Sequence, residues 1–149
     1  MADRCSPKKL GDKNYRCYFE LALLVMGGKW KPIILYHLGV GGVLRFSELG
    51  RSMPDVTDRM LTRQLRELEA DRLIQRTVYR QVPPKVEYSL TELGLGLFPL
   101  LLQMRAWGEK YEQALGGAEL QPGALAEPPA PGVLHPRYLC ATPNSQSRG

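Results

Sequence analysis

Three arginines, Arg59, Arg63 and Arg66, recur at steps of three or four residues in one segment of the chain. If this segment is an α-helix, the spacing places all three guanidinium groups on one face, with Thr62 at its edge. The opposite face is apolar and carries Leu61, Leu65 and Leu68. Guanidinium groups bind phosphate oxygens, and they read the acceptors O6 and N7 of guanine in the major groove of DNA. The segment therefore predicts a helix that packs one face on a protein core and offers the other to DNA.

Capping residues set the start of this helix and of a shorter helix before it. Ser47 is a favourable N-cap for a helix over residues 48–53. Thr57 is a favourable N-cap for the arginine-bearing helix, which is predicted to end near Ala70. A Pro-Asp pair between the two helices marks a turn. Together these residues predict a helix-turn-helix.

Two segments rich in β-branched and aromatic residues, 74–80 and 86–90, predict strands. Residues 82–85, which include two prolines, turn the chain between them. The order helix, turn, helix, strand, turn, strand is typical of a winged helix-turn-helix. Such a unit places its second helix in the major groove and its hairpin beside it. The predicted fold class is therefore mainly α with a small β-hairpin wing.

Three further helices complete the predicted domain. The apolar run at residues 17–26 predicts a buried helix. Residues 31–38 predict a second helix, followed by a glycine-rich loop and a short strand at 43–45. Thr91 is expected to cap a long final helix, whose first half should be kinked or weakened by two glycines and a proline. An apolar seam suited to another helix runs along it, formed by Leu93, Leu97, Leu100, Met104, Trp107 and Tyr111.

The composition is that of one basic domain with polar ends. The chain has 149 residues, 44% of them hydrophobic, and a formal net charge of +5. Residues 1–16 predict a flexible basic arm, residues 17–115 the folded domain, and the Ala-, Pro- and Gly-rich residues 116–149 a disordered tail. Because the charges of the tail cancel, the excess positive charge lies in the part that carries the arginine helix. A basic domain favours polyanions such as DNA.

Several functional classes are disfavoured by the sequence. No apolar stretch is long enough to span a bilayer, and the N-terminus lacks the apolar core of a signal peptide, so we expect a cytoplasmic protein. The cysteines, Cys5, Cys17 and Cys140, are odd in number and widely spaced, unlike a secreted disulfide framework. No paired carboxylates, nucleophile–base set or metal cluster stands out, so we expect neither an enzyme nor a cofactor.

The predicted DNA contacts follow from the positions of basic and hydroxyl side chains. We expect Arg59, Thr62 and Arg63 nearest the bases and Arg66 at a phosphate. Further contacts with phosphates or the minor groove are expected from Lys31, Ser47, Thr57, Arg80 and Lys85, of which the last two flank the wing tip. The alternative for the three arginines of the predicted helix is a solvated face, since glutamates on the same helix could pair with them; for Arg80 and Lys85 it is an ordinary hairpin charge.

Five segments resemble, in order, those of the HxlR-type winged helix-turn-helix regulators, which are relatives of the MarR-type repressors. The segments are GGKWKPIILYHL, RFSELGRSMP, MLTRQLRELEADRLI, VPPKVEYSLTELG and RAWGEKY, and the resemblance runs from Cys17 to about Tyr111. It implies binding to a pseudo-palindromic operator in double-stranded DNA. It also implies a homodimer joined through the first and last helices, here with Phe19, Leu23, Leu97, Leu100, Met104, Trp107 and Tyr111 at the interface.

Some members of this family sense oxidants or electrophiles through a cysteine just ahead of the first helix, and Cys17 occupies that place. A helix N-terminus with Arg16 adjacent and Lys13 nearby favours a thiolate, whereas a buried cysteine commonly acts as a small apolar residue. The chain departs from the family pattern twice, with Tyr18 where proline is usual and Arg72 where glycine is usual. Because glycine accepts the left-handed backbone conformation more easily, an altered end of the arginine helix is expected.

The sequence as a whole predicts a sequence-specific DNA-binding transcription regulator. We expect a homodimeric repressor that covers a promoter and responds to thiol oxidation or electrophiles through Cys17, with Cys5 or Cys140 as weaker thiol candidates. One alternative is a regulator of the same kind that binds a small-molecule effector and uses Cys17 only for packing. Another is a winged-helix protein–protein adapter, against which the outward arginines argue.

Overall fold

The computed structural model describes residues 6–117. Most of the predicted tail and the first five residues of the predicted arm, with Cys5 and Cys140, lie outside this range. The helices and strands in chain order are β1 (Lys8–Leu10), β2 (Lys13–Tyr15), α1 (Tyr18–Met26), α2 (Trp30–Gly41), β3 (Val43–Arg45), α3 (Phe46–Ser52), α4 (Asp58–Ala70), β4 (Ile74–Tyr79), β5 (Lys85–Leu90), α5 (Glu92–Leu95) and α6 (Phe98–Ala114). The order of α3, α4, β4 and β5 confirms the predicted winged helix-turn-helix.

Helix α2 lies at the centre of the core, where it packs against α4, α6 and β5. The predicted apolar face of α4 is confirmed, because its three leucines are almost completely buried. The least exposed apolar side chains of the domain are Ile34, Leu35, Leu38, Leu49, Leu61, Leu65, Leu68 and Ile74. Helix α4 is therefore fixed by burial along one side, and its other side is left for solvent.

The wing belongs to a three-stranded antiparallel sheet with the strand order β3-β5-β4. Strand β5 is central, and its buried Tyr88 lies opposite Leu44 of β3 and Arg76 of β4. The strand predicted at residues 43–45 is confirmed, and the two wing strands lie within one residue of their predicted bounds. Because β3 directly precedes α3, the sheet ties the start of the helix-turn-helix to the wing.

The N-terminal segment differs from the flexible arm expected over residues 1–16. Strands β1 and β2 pair as a hairpin around a two-residue turn at Gly11 and Asp12. Gly11 has φ +59, and a glycine at the first turn position permits the tight hairpin turn whose twist matches its strands. Lys13 Nζ lies 2.7 Å from Asp71 Oδ1, so an ion pair joins the hairpin to the end of α4. The expected arm is thus wrong for residues 8–15.

Two predicted helix boundaries are also corrected. Helix α2 continues to Gly41 rather than stopping at Leu38, and Gly42, with φ +78, ends it. The single long final helix is broken into α5 and α6, because Pro99 has no N–H to continue the helix and fits only in the first turn of a new one. Thr91 caps α5 as predicted, accepting a hydrogen bond from the Gly94 N–H.

Helix α3 begins one residue before Ser47, which is therefore not its N-cap. The Arg45 N–H donates instead to the Glu48 carboxylate at 2.7 Å, so a glutamate in the first turn satisfies this backbone donor. Helix α1 was predicted to be buried, yet only Met26 among its residues is buried in the single chain. Among the described helices, none is both long and apolar enough to cross a membrane.

Candidate DNA interface

The turn at residues 53–57 sets the direction of α4 relative to α3. Thr57 is the N-cap of α4, as predicted, and its hydroxyl accepts a hydrogen bond from the Met60 N–H at 3.2 Å. Because the leucine face of α4 is buried, the opposite face must point outward. Arg59, Arg63 and Arg66 are exposed there, and Thr62 is half-buried beside them. The structure thus brings the predicted base-contacting residues together on one outward face.

Arg63 is bound within the protein by a chain of ion pairs. Its Nε donates to Glu67 Oε1 at 3.0 Å, one helical turn along α4. The other carboxylate oxygen of Glu67 lies 2.8 Å from Lys31 Nζ. Hydrogen bonds from Lys31 first, and from Arg63 second, hold the pKa of Glu67 below its usual value. The carboxylate is therefore ionised at neutral pH and joins α2 to the exposed face of α4.

The position of Lys31 differs from the predicted one. It was expected to donate to a DNA phosphate, but its side chain is only 11% exposed and its ammonium group faces Glu67. A buried charge is retained where an opposite charge compensates it, and here that partner is internal. The sequence of α2 did not reveal that Lys31 is buried, because a lysine next to proline and isoleucine could equally lie at the exposed edge of the helix. Lys31 therefore contacts the exposed face of α4 from inside the protein, through Glu67.

A cleft separates α4 from the wing, with a volume of about 260 Å³. Its basic and hydroxyl groups come from Thr62 and Arg66 on α4 and from Arg76 on β4, and its remaining lining residues are Leu65, Glu69 and Tyr88. Arg76 was not among the predicted site residues. Its position within a predicted strand was visible, but the pairing that places it opposite Tyr88 and beside α4 is a long-range feature.

The two cations at the wing tip differ in their surroundings. Arg80 is exposed directly after β4, whereas Lys85 Nζ lies 2.8 Å from Glu87 Oε1 and 5.0 Å from the centre of the Tyr79 ring. The hydrogen bond from Lys85 is the main reason that the pKa of Glu87 is below its usual value. Lys85 was expected to be as available to DNA as Arg80, but its charge is already neutralised within the wing. Ser47 remains exposed in the first turn of α3.

The end of α4 shows the consequence of the unusual Arg72. With φ +61, it is the only residue other than glycine with a positive φ among residues 6–117. Its N–H bonds to Glu69 O and the next N–H, of Leu73, bonds to Leu68 O, the two bonds of a Schellman motif. The Thr91 hydroxyl donates to Arg72 O at 2.6 Å. An altered helix end was predicted here; instead Arg72 itself adopts the left-handed conformation that is usual for glycine, and the motif is retained.

Cys17 is the N-cap of α1, with intermediate exposure. Its Sγ accepts a hydrogen bond from the Glu20 N–H at 3.4 Å, and the Glu20 carboxylate accepts one from the Arg16 N–H at 2.6 Å. Lys13, expected to favour a thiolate, is instead paired with Asp71, a bond that raises the pKa of Lys13. Of the two cations expected near the thiol, Lys13 is therefore held at the end of α4.

Apolar side chains that the protomer does not cover lie on α1 and α6. On α1, Tyr18, Phe19 and Leu23 are exposed, Phe19 to 74%. On α6, Trp107 is 65% exposed and stacks on Tyr111 with ring centres 5.1 Å apart. Other exposed members of the predicted seam are Leu93, Leu100 and Met104. Leu97 departs from the expectation, because it packs partly buried against the core.

Neither metal chemistry nor histidine chemistry is indicated at this surface. Residues 6–117 contain no group of three or more His, Cys, Asp or Glu side chains that could hold a metal ion. His37 is buried on α2, where burial lowers its pKa to about 4. It is therefore neutral at neutral pH and part of the core.

Comparisons with known proteins cover this same part of the chain. The HxlR-like helix-turn-helix family matches residues 25–115. The HTH-type transcriptional regulator YdeP of Bacillus subtilis (strain 168) is 55% identical over 103 residues, which are 69% of this chain and 80% of YdeP. The redox regulator HypR, in its oxidized form, is 58% identical and covers 63% of this chain and 96% of its own, with a TM-score of 0.60. The transcriptional regulator YodB from B. subtilis, in its reduced form, is 33% identical over 64% of this chain and 93% of its own, with a TM-score of 0.56.

Proposed function

The chain belongs to the HxlR-like helix-turn-helix family and is a DNA-binding transcription regulator, and from this premise we propose that it acts as a homodimeric repressor. In this proposal α4 enters the major groove of each half of a pseudo-palindromic operator, and the wing lies against the adjacent backbone. Two recognition helices about one DNA turn apart, roughly 34 Å, would cover a promoter and block it sterically.

The observation that carries the proposal is the exposed arginine face of α4. Arg59 and Arg63, with Thr62, project from a helix whose other side is locked in the core, so they can enter the groove without rearrangement of the fold. Arg66 lines the cleft beside the wing, where a phosphate is the expected partner. Thr57, Ser47 and Arg80 are proposed as further backbone contacts at the edges of the same surface.

The exposed apolar side chains of α1 and α6 support a dimer. A monomeric protein rarely leaves several large aromatic and aliphatic side chains uncovered, and patches of such side chains mark interaction surfaces. Phe19 and Leu23 on α1 and Met104, Trp107 and Tyr111 on α6 are the proposed centre of the interface. Leu100 is proposed at its edge. Leu97, which is already covered by its own protomer, would contribute through packing beneath it.

We propose further that oxidation of Cys17 controls DNA binding. The similarity to HypR, a redox regulator, and to the transcriptional regulator YodB supports this assignment. In the proposed step a two-electron oxidant such as peroxide or diamide takes the electrons of two Cys17 thiols, one from each protomer. Both thiols lose a proton and one S–S bond forms. Because Cys17 starts α1, the bond would act on the proposed dimer interface and on the distance between the two α4 helices.

DNA binding is tested by titrating the full chain, reduced or treated with diamide, against the DNA upstream of its own gene. We expect specific binding by the reduced form, a change on oxidation, and no such change in Cys17→Ser. Arg63→Ala should weaken specific binding by about 1–3 kcal/mol if this side chain reads a base. An affinity for this DNA that does not change on oxidation would favour regulation by a small-molecule effector. The complete absence of specific binding at any salt would favour the protein–protein adapter.

The dimer is tested by light scattering coupled to size-exclusion chromatography. Trp107→Glu places a charge at the proposed interface and should convert a dimer into a monomer. Val78→Glu is the matched control, because Val78 is also an exposed apolar residue but lies on the wing, in β4. A Trp107→Glu protein that stays dimeric would exclude this face as the interface.

A further inference from the structure

The three arginines of α4 differ in how they are held. Arg59 and Arg66 take part in no ion pair among the described residues, whereas Arg63 donates its Nε to Glu67. Glu67 in turn binds Lys31 with its second oxygen, so one carboxylate links a surface arginine to a buried lysine. A long side chain that DNA must order on binding costs free energy, and one that is ordered beforehand costs less.

The lysine makes this link rigid. Lys31 stands near the start of α2, the helix at the centre of the core, and its side chain is 11% exposed. A buried ammonium group without a partner is strongly unfavourable, so Lys31 and Glu67 stay together. A surface pair one helical turn apart, such as Arg63 with Glu67 alone, would be weak and would exchange with solvent. The anchor in the core removes that freedom from Glu67.

We infer that Glu67, anchored by Lys31, is a positioning residue that pre-orients Arg63 for base recognition. The inference rests on the proposed DNA binding through α4. Only the Nε of Arg63 is engaged by Glu67, so the two terminal nitrogens remain available. A bidentate contact of arginine with guanine O6 and N7 requires such a fork in a fixed orientation. Lys31 and Glu67 would thus set sequence discrimination without touching DNA.

This role predicts two effects of opposite sign. A carboxylate beside the major groove repels phosphates, so its removal should raise the affinity for DNA of arbitrary sequence. Its removal should also free Arg63 and lower the preference for the correct base. A purely structural role for Glu67 would weaken both kinds of binding together or leave both unchanged.

The test begins with selection of bound sequences from a random duplex pool by the full-length protein, followed by fluorescence anisotropy with the selected duplex. Each position is then replaced, and the position at which Arg63→Ala loses discrimination is assigned to Arg63. Glu67→Ala should lower discrimination at that position by about two- to tenfold, the effect of ordering one long side chain, while affinity for random duplex rises. In Arg63→Ala, the addition of Glu67→Ala should cause no further loss.

Glu69→Ala is the matched control, since Glu69 is an exposed carboxylate on the same helix and makes no ion pair among residues 6–117. It should raise affinity for random duplex but leave base discrimination intact. Glu67→Ala leaves the buried Lys31 without its ion-pair partner, so the double variant Lys31→Met/Glu67→Ala repeats the measurement without an unpaired charge. Circular dichroism checks that both variants fold. Unchanged discrimination in the folded double variant would overturn the inference, whereas failure of the wild type to select any sequence would overturn the proposed function itself.

Discussion

Replacement of Arg72 by glycine should stabilise the protein. Arg72 holds the left-handed position of the Schellman motif that ends α4, at φ +61. For a residue with a Cβ atom this conformation costs roughly 1–2 kcal/mol, because Cβ approaches the following carbonyl oxygen. Glycine avoids the clash, but it also gives the unfolded chain more conformational freedom, which reduces the gain in stability by about 0.4–1 kcal/mol. We expect Arg72→Gly to raise the free energy of unfolding by about 1 kcal/mol.

Such a gain is measurable in a domain of this size. A change of 1 kcal/mol shifts the melting temperature by about 4–8 °C in a domain of 60–100 residues. The assay is thermal and urea unfolding followed by circular dichroism at one fixed protomer concentration, because association makes the melting temperature concentration-dependent. The m-value should not change, since the surface exposed on unfolding is the same.

Arg72→Ala separates the backbone from the side chain. Alanine keeps the Cβ atom and the strain, and it removes a side chain that is exposed and makes no ion pair among the described contacts. Its free energy of unfolding should stay close to that of the wild type. If Arg72→Gly proved no more stable than Arg72→Ala, the left-handed backbone would not be the origin of a cost at this position, and the reasoning would fail.

Three further predictions follow from burial, close packing and charge. Burial lowers the pKa of His37 in the folded state to about 4, from about 6.5 in the unfolded state. Between pH 4 and pH 6.5 the unfolded state therefore binds more protons than the folded state. Stability should therefore fall by up to about 3 kcal/mol as pH drops through this window, and His37→Leu should flatten the dependence in urea titrations at pH 4.5, 5.5 and 7. A Cβ atom on Gly39 would clash with the Phe98 ring, so Gly39→Ala should lower the free energy of unfolding by about 1–3 kcal/mol, and by less in a Phe98→Ala background. If Arg76 contacts a phosphate, Arg76→Ala should weaken binding to all DNA sequences alike and reduce the slope of log affinity against log salt concentration by about 1. Lys85→Ala should have a smaller effect, because Lys85 is neutralised by Glu87. A change in sequence preference on Arg76→Ala would contradict a phosphate contact.

The parts of the fold that could be predicted are those with a local pattern. The leucine stripe of α4, the N-caps Thr57 and Thr91, and the two wing strands each depend on residues within one or two turns of each other. Such features are specified by the neighbouring chain, and tertiary packing only had to agree with them.

The parts that could not be predicted join residues far apart in the sequence. Lys31 with Glu67 and Lys13 with Asp71 are pairs between different elements, and no spacing rule connects their members. Lys31 was therefore interpreted as a hydrogen-bond donor to a DNA phosphate, although its ammonium group faces Glu67 within the protein. The N-terminal hairpin was missed for a related reason, since polar strands such as Lys8–Leu10 lack the apolar alternation that predicts a sheet.

Helix α1 shows the limit of hydrophobicity as a predictor. Its apolar composition predicted burial, yet Phe19 and Leu23 are exposed in the single chain, so composition indicates that a surface is covered and not which molecule covers it. In the proposed dimer the cover is a second copy, and Cys17 then lies at the start of a helix shared by the interface. The Lys13–Asp71 ion pair ties the segment before Cys17 to the end of α4. Oxidation of Cys17 could therefore affect α4 in two ways, through the partner subunit and through contacts within the protomer. In either case the disulfide must stabilise one arrangement of α4 over the other.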